Sequence, residues 1–79
     1  MKEKEKERIE GRKMAVLKRI VERRRELGIS QWDLGIAINL TNSGYFKVET
    51  GKTRLDILRL FEILEKLDIS LEEFFKGIK

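Results

Sequence analysis

The chain has 79 residues, with 18 Lys and Arg against 14 Asp and Glu, a net charge of +4. A chain this short makes one small domain that buries roughly 60% of the surface it exposes when unfolded. It contains no Cys, His or Pro, so a disulfide framework, thiolate zinc sites and the usual general bases and nucleophiles are excluded. No catalytic step, metal or cofactor is therefore expected. The lack of cysteine fits a reducing compartment, and the expected location is the cytoplasm. The apolar runs are only a few residues long and the N-terminus is charged, which predicts neither a membrane span nor a secretory signal.

Residues 1–13 alternate Lys and Glu, and Ile9 is their only large apolar residue after Met1. Lys2 and Lys6, like Glu3 and Glu7, fall at i,i+4, where like charges disfavour helix. The stretch reads as a charged, frayed arm preceding a domain at 14–79. Ile9-Glu10-Gly11-Arg12 also matches the recognition sequence of factor Xa, so an alternative reading is a segment appended for expression.

Five helices are predicted after the arm, with no period-two alternation and hence no sheet. The first carries Val16, Leu17, Ile20, Val21 and Leu27 at helical spacing and stops at Gly28. The second opens at Ser30, with Asp33 three residues on, and turns Leu34, Ala37 and Ile38 inward. The third opens at Thr41, buries Tyr45 and Val48, and ends at Gly51. The fourth opens at Asp56 and buries Ile57, Leu60, Ile63, Leu64 and Leu67. The fifth opens with Ser70-Leu71-Glu72-Glu73 and carries Phe74, Phe75 and Ile78.

Charge is unevenly spread along these helices. Residues 14–54 hold eight cations and four anions, whereas residues 55–79 hold four cations and six anions. An anionic ligand would choose the first part. The run Arg23-Arg24-Arg25 reads by itself as a solvated helix face.

Residues 31–50 have the features of two helices meeting over a short turn. Gly35 lets the second backbone come close, Asn39 tolerates the left-handed conformation of the turn, and Leu34, Ile38, Leu40, Tyr45 and Val48 form an apolar wedge. The run Ser30-Gln31-Trp32-Asp33-Leu34-Gly35-Ile36-Ala37-Ile38-Asn39-Leu40-Thr41, followed by Tyr45-Phe46-Lys47-Val48-Glu49-Thr50-Gly51, resembles the helix-turn-helix of the phage-repressor/Cro family, also called the Xre family. The resemblance extends over about residues 16–75. The family usually has Ala where this chain has Gly35, and Gly where it has Asn39.

The resemblance implies an all-α, compact five-helix domain like that of lambda repressor. It also implies sequence-specific binding of double-stranded DNA by a transcriptional regulator, most naturally a repressor acting as a homodimer on a pseudo-palindromic site. On it, the third helix enters the major groove and Asn42, Ser43 and Lys47 face the bases, which suits adenine for Asn and guanine for Lys. Gly44 would let that helix approach the DNA closely. Gln31, Thr41, Lys52, Thr53 and Arg54 are expected on backbone phosphates. Arg24 is expected to pair with Glu49, tying the first helix to the end of the third.

Trp32, Phe46, Leu58 and Phe61 stand where the family usually carries polar residues. With Phe74, Phe75 and Ile78 they predict a second apolar surface for a partner, either a second copy or another protein. The plainer alternatives are a sugar or thymine-methyl contact for Trp32 and Phe46, and a completed small core for the later rings. A protein-interaction module of the antitoxin kind is the alternative function.

Overall fold

Four helix starts are made by side chains bonding backbone N–H groups that no helix can satisfy internally. In the computed structural model, which describes all 79 residues, Ser30 Oγ accepts from the Asp33 N–H at 3.0 Å and Thr41 Oγ1 from Gly44 at 2.9 Å. Asp56 Oδ1 accepts from Arg59 at 2.7 Å and Ser70 Oγ from Glu73 at 3.1 Å. These caps open α2 (Gln31–Ala37), α3 (Asn42–Glu49), α4 (Ile57–Lys66) and α5 (Leu71–Phe75), which follow a long α1 (Glu3–Glu26). The protein is all-α, as expected.

The start of α1 corrects the reading of residues 1–13 as a frayed arm. Helix begins at Glu3, although every side chain through Met14 is exposed. The like-charged i,i+4 pairs are offset by opposite charges at i,i+3, as in the 3.6 Å Glu10–Lys13 pair. Glu3 and Glu5 also complement the dipole of the first turn. An anchored helix adds a bond per residue without a new nucleus, so growth from the packed part into this stretch is cheap. Arg12 ties it to the far end of the chain, donating from Nε to the Lys79 carbonyl at 2.9 Å.

The core draws on all five helices and the residues that close them: Leu17, Ile20, Leu34, Ile38, Tyr45, Val48, Ile63, Leu64, Leu67 and Phe74. Seven expected core residues lie outside it, of which Val16, Val21 and Leu40 are half-buried. Leu27 and Ile57 are exposed, as is Ala37, and Leu60 is only half-buried. Leu27 closes α1 and Ile57 opens α4, so both stand at helix ends. Phe74, expected on a partner surface, is instead fully buried, with Phe75 set against it edge to face at 5.0 Å. Phe75 and Leu58 remain exposed and Ile78 half-buried.

Arginines close the other ends of the helices. Arg23 donates to the carbonyls of Leu67 and Asp68, both at 2.9 Å, where α4 stops. Arg19 reaches Lys76 at 2.9 Å beyond α5, and Arg59 reaches Ile38 at 2.7 Å at the end of α2. The arginine run of α1 is thus not simply a solvated face. Arg23 and Arg24 are turned inward on carbonyls and a carboxylate, and only Arg25 is exposed.

The turn joining α2 to α3 has two tight points. Asn39 has φ +61°, the left-handed conformation anticipated for it. Gly35 is buried under Tyr45: a Cβ at this position would stand 2.9 Å from Tyr45 Cβ and 3.5 Å from the Thr41 carbonyl. Cβ atoms at the root of a side chain cannot swing aside. Gly35→Ala would gain about 1 kcal/mol of helix propensity and lose about 1–3 kcal/mol to overpacking. We expect a net loss of stability, seen as a lower denaturation midpoint at unchanged slope; an unchanged or higher midpoint would show that α2 and α3 have room to spare.

Candidate nucleic-acid interface

The position of α3 is held by a buried ionic cluster. Arg24 of α1 donates from Nε to Glu49 Oε2 at 2.7 Å and from Nη2 to Oε1 at 3.1 Å, a bidentate pair. Its remaining Nη1 donates to the Ile29 carbonyl at 2.9 Å. Gln31, the first residue of α2, donates from Nε2 to Glu49 Oε1 at 2.9 Å. One carboxylate at the end of α3 thus holds α1 and α2 together. Gln31 therefore spends a donor inside the protein, which its sequence position at a helix start did not disclose.

The electrostatics follow from the geometry. Burial by itself pushes the Glu49 carboxyl up, but hydrogen bonds to Arg24, and then the other polar neighbours, outweigh it and hold the group below its ordinary value. The Tyr45 hydroxyl is buried near the same carboxylate yet meets no partner in hydrogen-bonding geometry. Its pKa is raised, first by burial and then by Glu49.

With its inner side pinned, α3 turns the rest outward. Tyr45, Val48 and Glu49 are buried, while Asn42, Ser43, Phe46 and Lys47 are exposed. Gly44 does not lie on this outward face. It sits near Leu40 and Thr41, where a Cβ would come 3.1 Å from the capping Thr41 hydroxyl, so its smallness makes room for the cap.

The loop after α3 folds back on its last turn. The Lys52 and Thr53 N–H groups donate to the Lys47 carbonyl at 2.9 and 3.2 Å, and Gly51 supports this turn with φ +78°. Lys52, Thr53 and Arg54 are all exposed, and neither cation forms an ion pair. Thr41 is exposed at the start of α3, and Trp32 is 58% exposed in the first turn of α2. The α2–α3 pair and the loop after it therefore expose amide, hydroxyl, aromatic and cationic groups.

Two short helices joined by a tight left-handed turn, with the second pinned inside and polar outside, define a helix-turn-helix protein. A family model described as helix-turn-helix matches residues 20–74, well over half of the chain. The chain belongs to this family of DNA-binding domains, of the Xre/Cro type. No curated protein and no solved structure matches it significantly. No helix is long and apolar enough to cross a membrane.

The cluster makes two measurements informative. Arg24→Met or Glu49→Leu alone leaves an uncompensated buried charge and should cost about 3–5 kcal/mol, whereas the double replacement should cost clearly less than the sum. Strictly additive losses would mean that the pair is not coupled. Because the folded-state pKa of Glu49 is depressed, its contribution is present above the ordinary value of 4.5 and is lost as pH falls from there through the folded value. Thermal melts should show this acid loss in the wild type, and Glu49→Gln should flatten the profile in that window.

Proposed function

We propose that the protein is a sequence-specific double-stranded DNA-binding transcriptional regulator, a repressor of the cytoplasm, that reads the major groove with α3. The observation that carries this reading is the two-sidedness of α3. Its inner residues are locked into the core and the ionic cluster, so its outer residues are presented on a rigid support. Asn42 suits adenine, Lys47 suits the guanine acceptors and Ser43 is permissive. Asn42 and Lys47 diverge by roughly 140° about the helix axis, so a groove that wraps the helix is needed to meet both.

Lys52, Thr53 and Arg54 supply phosphate contacts beside α3. Thr41 keeps its hydroxyl proton while accepting from Gly44, and Gln31 keeps its second amide proton while holding Glu49. Both remain donors for phosphate. The DNA-binding unit in this reading is residues 14–79, and it acts as a homodimer because one short helix reads too few bases.

The exposed side chains of Ile57, Leu58 and Phe61 on α4, at 69%, 71% and 47%, support a pairing surface there. They equally favour the second reading, an interaction module whose partner is another protein. Steep salt dependence of duplex binding supports the first reading; a stable protein complex without DNA affinity supports the second.

Lys47→Ala and Asn42→Ala should each weaken binding to the preferred duplex by about 1–3 kcal/mol, with much less effect on random duplex. Titrations on both duplexes at one stated salt concentration test this. Equal losses on the two would reduce both residues to general electrostatic contacts.

A further inference from the structure

Phe46 is the residue on the outward face of α3 that neither folding nor the polar contacts use. It is outside the buried core and 42% exposed. The Thr50 hydroxyl donates to its backbone carbonyl, not to its ring. At about 100° per residue, Phe46 lies roughly 40° from Asn42, with Ser43 and Lys47 at about 100° and 140°. The ring therefore stands within the face formed by the three base-contacting candidates.

A cation stands near it. The Lys52 ammonium lies 6.0 Å from the ring centroid, at the outer range of a cation–π contact. The Lys52 backbone is held by its N–H, bonded to the Lys47 carbonyl at 2.9 Å. The ring thus has a cation near one side while much of it stays open.

A ring at this place strips water from whatever the helix meets. Polar base edges covered by it would lose hydrogen bonds without replacement. The major-groove edge offers one apolar group, the C5-methyl of thymine, and 5-methylcytosine presents the same methyl at the same carbon. We infer that Phe46 is a contact for a pyrimidine C5-methyl group, with Lys52 near one side, so that the preferred site depends on a methyl as well as on hydrogen bonds. This rests on the reading of α3 as the helix that meets the bases.

The test removes the methyl and nothing else. A preferred duplex is selected from a random pool with the wild-type protein. Each thymine in it is then replaced singly by deoxyuridine, and affinities are measured at fixed salt. At one thymine per half-site the wild type should lose roughly fourfold, the value of one buried methyl group. Phe46→Ala should bind more weakly and show no further loss at that position, whereas Phe46→Leu should keep part of it. Replacing that thymine by cytosine and then by 5-methylcytosine separates the two sources. Methylation should recover roughly fourfold for the wild type and nothing for Phe46→Ala.

Wild-type affinity unchanged by every uracil replacement overturns the inference while leaving DNA reading intact. So does an equal methyl effect in wild type and a folded Phe46→Ala, or a selected site with no thymine where α3 binds. Unchanged DNA affinity of Phe46→Ala with loss of a protein complex would assign the ring to a partner surface and also overturns it. Failure to select any duplex overturns the DNA reading itself, and the inference with it. The uracil series uses the wild-type protein, so it decides the matter even if the Ala variant is unstable.

Discussion

The carboxylate of Glu49 is the point on which the helix-turn-helix depends. It terminates α3, and it is held by Arg24 from α1 and by Gln31 from α2. Apolar packing of Tyr45 and Val48 brings α3 onto the core, but apolar contact is non-directional and leaves rotation about the helix axis loosely specified. A bidentate guanidinium–carboxylate pair is directional. It allows one rotation of α3 and therefore one set of outward residues. Its stabilising value is small against a well-packed apolar substitute; what it contributes here is orientation.

The second constraint is steric. The absence of a Cβ at Gly35 lets the Tyr45 side chain sit directly on the α2 backbone, and the Leu40 N–H closes on the Gly35 carbonyl at 2.8 Å. Thr41 then starts α3 immediately after the turn. The cluster at the far end of α3 and the contact at its near end thus act together, one at each extremity of an eight-residue helix. A helix of that length has little stability of its own, so its geometry comes almost wholly from these two attachments.

Local chemistry was the most legible part of the sequence. Ser30, Thr41, Asp56 and Ser70 act as caps because a cap bonds an N–H only a few residues away, so its signature lies in one short window. The left-handed Asn39 was legible for the same reason. The similar conformation of Asp68, with φ +49°, was not, because no motif singled it out at the end of α4. Periodicity located the core stripe but misjudged its ends, where Leu27 and Ile57 face outward and Phe74 turns fully inward. These depend on how one helix end meets another element, which a single segment does not encode. The arginine–carbonyl bonds from Arg19, Arg23 and Arg59 were missed because their partners are 21 to 57 residues away. In the candidate interface, the Arg24–Glu49 pair and the outward positions on α3 were legible through the resemblance, whereas the Gln31 bond to Glu49 appears only in three dimensions.

The arginines tied to carbonyls divide the positive charge of the protein into two populations. Arg19, Arg23, Arg24 and Arg59 are bound directly, at 2.7–2.9 Å, to helix ends, a connecting loop or Glu49. Lys47, Lys52 and Arg54 stand in solvent without acidic partners, where screening acts over a length of about 10 Å at 0.1 M salt. The fold and the surface field therefore answer to ionic strength separately. Added salt weakens the pull of these free cations on a polyanion by screening, whereas the arginines of the scaffold keep short direct contacts within the protein.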